Sequence, residues 1–230
     1  MPHFTTLDLL AFGIYVASWF GYARFADYSR WHKHSIMSRM DGHREQWMLQ
    51  MLLRENRMVD ANIIAGQQNG AAFFASTTIF ALGALVAALG VSEQAIAILS
   101  SLPLVEPGTP EDWRVKVLLL IVVMAYAFFK FAWTFRLHNY CAVLLGATPV
   151  DVQPGSENTE LALRTAKISS LAARHFNRGL RAYFFGLAAL AWFLHPLLFI
   201  ATIFYVLYVI HRREFRSKSL KVLQGRLDRI

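Results

Sequence analysis

The sequence predicts an all-α integral membrane protein. Of its 230 residues 56% are apolar, and they include 18 Phe and 6 Trp, whereas soluble domains average about 45–50% apolar. The apolar residues form blocks separated by basic stretches, as expected for a chain that crosses a bilayer several times. The length suits a single folding unit. Residues 1–230 are therefore expected to form one membrane domain.

The first apolar block, residues 7–26, is long enough to span the membrane as a helix. Basic residues follow this block and none precedes it, which is the reverse of a cleaved signal peptide. We expect a retained first helix with its N-terminus outside.

Residues 27–62 are polar and are expected on the cytoplasmic side. Within them, residues 43–59 place Trp47, Met48 and Met51 near one helical face and most charged side chains elsewhere. This pattern predicts an amphipathic helix. The helix either lies on the inner leaflet or extends the next span into the cytoplasm.

Residues 63–91 and 115–145 form two further blocks of spanning length. The segment between them, residues 92–114, is an acidic loop that contains prolines and few basic residues, which is typical of the periplasmic side.

A line of small residues runs along the second block, and small residues let two membrane helices approach closely. This line predicts a homo-oligomer. Its members are Gly66, Gly70, Thr77, Ala81, Ala84 and Ala88.

The last apolar block, residues 182–210, admits two interpretations. As one helix it is about 43 Å long, which exceeds the roughly 30 Å hydrocarbon core. As a hairpin that turns at His195-Pro196, it gives two short crossings, residues 182–195 and 196–210.

The basic residues decide between these interpretations. They are concentrated in residues 27–62, 146–181 and 211–230, and the positive-inside rule places all three segments in the cytoplasm. Only the hairpin satisfies this rule for the tail. We therefore favour three spans plus a C-terminal helical hairpin, with five crossings, N-terminus outside and C-terminus inside. Four full-length spans are the alternative.

Lys130 and Arg136 interrupt the third apolar block, where each charge costs about 2.5–3.5 kcal/mol at mid-membrane. If the second and third blocks pack as an antiparallel hairpin, equal depth brings Arg136 near Gln67 and Gln68. Lys130 then lies near residues 74–78. The hairpin predicts a polar layer toward the cytoplasmic half, made of Asp60, Asn62, Gln67, Gln68, Arg136, His138 and Asn139, with Ser76, Thr77 and Thr78 deeper, around Lys130.

These residues also have a purely structural interpretation. Arg136 and His138 can reach cytoplasmic headgroups from near the end of their helix, with Asp60 paired to Arg136. The hydroxyls of residues 76–78 can bond to the preceding turn or to neighbouring helices. Lys130 is harder to explain in this way because it lies near the middle of its span.

No motif in the sequence indicates an enzyme. Cys141 is the only cysteine, the eight histidines form no metal-binding box, and neither a phosphate-binding loop nor a nucleophile elbow is present. We expect no metal and no cofactor. The basic residues lie between apolar blocks, which favours contact with anionic lipid headgroups and argues against nucleic-acid binding.

Four short runs resemble a bacterial and plant family of integral membrane proteins known only as a domain of unknown function. The resemblance covers most of the chain and implies an all-helical membrane fold, but no activity. The runs are residues 73–78, Asn139-Tyr140 followed by Gly146 and Pro149, residues 179–184 and residues 212–217.

For a multi-pass protein of the bacterial inner membrane, a membrane enzyme that uses His residues is the weaker class, and two other functions are open. One is an oligomeric pathway for a small solute or anion, with Lys130 and Arg136 favouring anions. The other is a non-catalytic scaffold or accessory subunit of a larger complex. A water-filled cavity past Lys130 favours the pathway, and a dry, fully paired Lys130 favours the scaffold.

Overall fold

The computed structural model describes residues 4–101, 108–150 and 157–225, and within them it contains α-helices, two short 3₁₀ turns and no strand. The all-helical prediction is confirmed. The helices are α1 (Thr6–Tyr28), α2 (Ile36–Met51), α3 (Met58–Gly90), α4 (Ser92–Ser100), α5 (Pro110–Ala147), α6 (Glu157–Leu190), α7 (Pro196–Phe215) and α8 (Lys218–Leu223).

Four helical stretches are long and apolar enough to cross a membrane, namely α1, α3, α5 and α7 together with α8. They correspond to four of the predicted apolar blocks. The chain is thus a helical membrane protein, as its composition indicates.

The helices α1 and α5 begin with the same local device, a capping box. The Thr5 hydroxyl accepts a hydrogen bond from the backbone N–H of Asp8, and the Asp8 carboxylate accepts one from the N–H of Thr5. Thr109 and Asp112 repeat this arrangement at the start of α5, with Pro110 at the first helical position.

Three hydrogen bonds bring one set of helix ends together. The Trp192 indole donates to Asp8 at 2.7 Å, the Lys116 ammonium donates to the carbonyl of Trp192 at 2.9 Å, and the Trp113 indole donates to the carbonyl of Ala88 at 2.8 Å. We name this the outer end and the opposite one the inner end, following the predicted orientation.

The start of α1, the end of α3, the start of α5 and the end of α6 meet at the outer end. Consequently α6 runs antiparallel to α5, and five helices connect the two ends. This geometry accords with the five-crossing interpretation, and the number of crossings stays a prediction.

The hairpin turn lies where the sequence predicts it, between α6 and α7. His195 caps α7, because its Nδ1 accepts a hydrogen bond from the backbone N–H of Leu197, and Pro196 occupies the first helical position. The first arm differs from the expected short segment, since α6 is one helix that already begins at Glu157. The first half of α6 is polar. Small residues such as Ala162, Ala166 and Ser169 form its buried face and pack against neighbouring helices.

The amphipathic helix is present as α2, but its predicted boundaries are wrong. It begins after the cap Ser35 and ends at Met51, and the chain turns before α3 begins at Met58. It therefore neither extends α3 nor continues to residue 59. Met48 and Met51 are fully buried, since α2 packs mainly on α6.

Two separate hydrophobic cores lie one above the other along α5 and α6. The core toward the outer end joins α1, α5, α6 and α7 around Tyr15, Phe185 and Phe199. The second core joins α2, α3, α5 and α6 at the inner end. It consists of Met48, Met51, Leu52, Ile64, Cys141, Leu145, Ala162 and Ala166.

Candidate functional site

Polar side chains gather where the two cores meet. The predicted antiparallel pairing of α3 and α5 is present, because Gln68 Nε2 donates to Asn139 Oδ1 at 2.7 Å and the rings of Phe74 and Phe131 stack with centroids 5.2 Å apart. The antiparallel hairpin is thus present, but the partner of Gln68 is Asn139 rather than Arg136, which is exposed. The layer has two parts, a cavity and an ion cluster.

The cavity, which we name the four-helix pocket, lies between α2, α3, α5 and α6 and has a volume of about 350 Å³. His138 from α5 is only 5% exposed, and its Nδ1 has no hydrogen-bond partner among the described residues. The pocket is lined by Ile36, Met37, Met40, Arg44, Gln67, Gly70, His138, Ala173, Phe176 and Asn177.

Arg44 supplies the positive charge of the four-helix pocket. Asp41 accepts a hydrogen bond from Arg44 at 3.0 Å and a second one from Arg174 at 2.9 Å. One carboxylate thus serves two guanidinium groups. Burial lowers the pKa of the Arg44 guanidinium, and Asp41 offsets this effect only in part. An anionic ligand would supply the missing compensation.

The ion cluster consists of Asp27, Arg178 and Arg181 and joins the end of α1 to α6. Arg178 Nε donates to one carboxylate oxygen of Asp27 and an Arg181 nitrogen donates to the other, both at 2.7 Å. The Arg181 side chain is 11% exposed, and its guanidinium lies 5.9 Å from the centre of the Tyr22 ring.

The sequence interpretation missed this cluster. The available signal was their spacing, since Arg174, Arg178 and Arg181 share one face of a helix. Buried arginines require carboxylate partners, and Asp27 is the first acidic residue after the opening apolar block.

Lys130 lies beside the ion cluster rather than in the pocket. Its ammonium is 4.9 Å from the centre of the Tyr126 ring, its side chain is half-buried, and the charges of Arg178 and Asp27 both act on it. Among the described residues, Lys130 neither lines the four-helix pocket nor forms an ion pair within hydrogen-bonding distance.

Arg136 and Asp60 lie apart, so the pairing suggested for them is wrong. Arg136 is exposed and donates to the Tyr140 hydroxyl at 3.0 Å. Asp60 is fully buried and accepts hydrogen bonds from Trp47 and Arg54. Trp47 and Arg54 both precede α3 in the sequence. Because the equal-depth argument compared only α3 with α5, it did not include them.

The hydroxyls of the second block follow the structural interpretation. Thr77 donates to the carbonyl of Phe73 at 2.8 Å, and Thr78 donates to that of Phe74 at 2.6 Å. Thr78 is fully buried and also contacts the Tyr183 hydroxyl, whereas Ser76 is exposed. These three residues therefore do not line the pocket.

Metal binding has no evident site in the part of the chain that the structure covers, where no three His, Cys, Asp or Glu side chains are grouped suitably for an ion. Cys141 is buried in the second core, and its thiol points to the carbonyl of Thr165. The expectation of no cofactor stays a prediction.

Comparison with known proteins identifies one family. A family model described as "Protein of unknown function, DUF599" matches residues 10–219. Searches of curated proteins and of solved structures find no match. The comparisons therefore assign no activity, and the function has to be inferred from the residues.

Proposed function

The chain belongs to the DUF599 family of unknown function, and we propose that it forms a homo-oligomeric pathway for a small anionic solute in the bacterial inner membrane. The four-helix pocket carries this proposal. It combines Arg44, whose counter-ion Asp41 is shared with Arg174, with a buried imidazole nitrogen of His138 that has no hydrogen-bond partner among the described residues.

The lining of the pocket indicates the chemical class of the solute. Arg44 can hold a carboxylate or phosphate through charge-assisted hydrogen bonds, while Gln67 and Asn177 offer amide groups. Met37 and Phe176 supply apolar wall on the same cavity. A volume of about 350 Å³ suits a small metabolite. A small organic acid with an apolar portion fits this combination.

Two surfaces support an oligomer. Lys130 is half-exposed on a membrane helix, and an ammonium facing acyl chains is costly unless protein or water covers it. The small-residue line on α3 is accessible at Gly66, Thr77 and Ala84, which are exposed, whereas Gly70 lines the four-helix pocket. A neighbouring copy could pack on this face of α3.

Titration calorimetry with the purified protein tests the pocket. Acetate, butyrate, benzoate and inorganic phosphate serve as probes, with butyramide as the neutral counterpart of butyrate. We expect Arg44→Gln and His138→Gln each to lower the affinity for the preferred anion by about tenfold or more, because a hydrogen bond to a charged group contributes about 1.5–3 kcal/mol.

Arg164→Gln is the matched control, since Arg164 is 65% exposed and pairs with Glu160 one helical turn away, outside the pocket. It should bind like wild type. The pocket proposal fails if butyramide binds as well as butyrate, or if the Arg44 and His138 variants bind the anion unchanged.

The scaffold is the alternative, and the position of Lys130 outside the pocket favours it. Lys130→Met separates the two functions. If Lys130 lines a pathway, anion flux into proteoliposomes should fall roughly tenfold, which corresponds to about 1.4 kcal/mol, while the oligomeric mass is unchanged. If Lys130 only holds helices together, assembly or thermal stability should change and flux should not.

Lys167→Met is the control for this experiment, because Lys167 is an exposed lysine of α6. A Lys130 variant equal to wild type in flux, mass and stability would contradict both roles.

A further inference from the structure

A second cavity, which we name the aromatic groove, opens at the inner end between the end of α1, the following 3₁₀ turn, the end of α7 and α8. Its volume is about 660 Å³. It shares no lining residue with the four-helix pocket. It is lined by Phe25, Trp31, His34, His211, Phe215, Arg216, Ser217, Leu220, Lys221 and Gln224.

The groove lies at the level where two membrane helices end. α1 ends at Tyr28 and α7 ends at Phe215, and basic residues follow both. Phe25 and Phe215 pack with ring centroids 5.7 Å apart, close to these ends. Aromatic side chains followed by basic ones are typical of the interface between acyl chains and headgroups.

One wall of the groove is apolar. The His211 ring lies 5.0 Å from the Phe215 ring and 6.1 Å from the Phe25 ring, and Trp31 and Leu220 extend the same surface. Such a wall can contact the first carbons of an acyl chain.

Cationic side chains line the same groove. Arg216 and Lys221 are both exposed there, and His34 adds further nitrogen atoms. Among the described residues that line the groove, none is Asp or Glu. Glu214, which lies in this part of α7, instead lines a neighbouring cavity together with Arg181. The charge of the groove is therefore not compensated by the residues that form it.

We propose that the aromatic groove binds one anionic phospholipid of the inner leaflet. Arg216 and Lys221 contact the phosphate, and the aromatic wall contacts the glycerol and the upper acyl carbons. A soluble phosphate satisfies the cations but leaves the apolar wall uncovered, whereas a lipid satisfies both. The site is independent of the four-helix pocket, so either proposal can fail alone.

Displacement of a fluorescent phosphatidylglycerol from the detergent-solubilised protein tests this site. The competitors are phosphatidylglycerol, phosphatidylcholine and soluble glycerol phosphate. We expect phosphatidylglycerol to compete at least about tenfold better than either of the others, since each basic side chain near an anionic lipid contributes about 1 kcal/mol.

The double variant Arg216→Gln with Lys221→Gln should have an affinity for phosphatidylglycerol that is lower by about tenfold or more. The matched control is Arg212→Gln with Lys218→Gln, which removes the same charge from exposed residues of the same tail that do not line the groove. It should change binding by no more than about twofold. All four positions are exposed, and circular dichroism would verify the fold of each variant.

Equal losses in the two double variants would show general surface attraction and overturn the proposal. Glycerol phosphate competing as well as the lipid would also overturn it, because the apolar wall would then contribute nothing.

Discussion

Asp27 accepts hydrogen bonds from two arginines of α6 while its own side chain is 12% exposed. The three groups belong to helices far apart in sequence, and the carboxylate compensates two positive charges at once. Removing it leaves two guanidinium groups largely buried without their counter-ion, which costs more than losing an exposed pair.

We therefore expect Asp27→Ala to lower the free energy of unfolding by about 3 kcal/mol. The measurement is thermal or denaturant unfolding in a mild detergent. Glu160→Gln is the control, because it breaks an exposed pair with Arg164 and should cost at most about 1 kcal/mol. Equal effects of the two substitutions would contradict the structural importance of the ion cluster.

At the scale of single residues, the direct comparison of two helices placed Gln68 and Asn139 in one polar layer but gave Gln68 the wrong neighbour, Arg136. Gln68 and Asn139 meet because equal depth in an antiparallel pair is fixed by helix geometry. Asp60 pairs with Arg54 and Trp47 because the short turn before α3 folds back on it. The conformation of this turn depends on tertiary packing. The spacing of apolar residues in the sequence carries no information about that packing.

The packing of α5 against α6 depends on one glycine. A Cβ atom added at Gly179 would lie 2.6 Å from the ring of Phe131. This ring is fully buried and is held by the rings of Phe74, Phe176 and Tyr183. It has no room to move aside.

Gly179→Ala should therefore destabilise the protein by about 1–3 kcal/mol, although alanine is the better helix former. Gly186→Ala is the natural comparison, since the added atom would meet the flexible end of Met124 and should be accommodated more easily. Thermal unfolding of both variants in detergent provides the measurement. A Gly179 variant as stable as the Gly186 variant would mean that the ring can be displaced.

The elements themselves were predictable to different degrees. Long apolar runs identified α1, α3 and α5, and His195-Pro196 identified the turn before α7. The first half of α6 was not recognised as part of a long helix, because its buried side chains are small or hydroxylated. Residues such as Thr165 and Ser169 are buried against neighbouring helices, and only the assembled fold supplies those neighbours.

At the scale of the whole molecule, the orientation of the chain across the membrane can be tested. Cys141 is the only cysteine, so Cys141→Ser gives a background in which single cysteines can be introduced. With five crossings, Glu160→Cys and Ser219→Cys should react with an impermeant maleimide only from the cytoplasmic side, and Ser101→Cys only from the outside.

These three positions are exposed. With four crossings, the cysteines at positions 160 and 219 would react from opposite sides. That result would overturn the hairpin interpretation of the last apolar block.

The two stacked cores also have a mechanical consequence. From Lys130 onward α5 continues to Ala147 without a break, a distance of about 25 Å at 1.5 Å per residue. Along this stretch α5 packs against α6 and α3, and α6 packs against α2. A change in helix tilt of about 10°, such as a change in bilayer thickness imposes, displaces the far end by about 4 Å. A tilt of α5 and α6 would therefore move the second core relative to the first core.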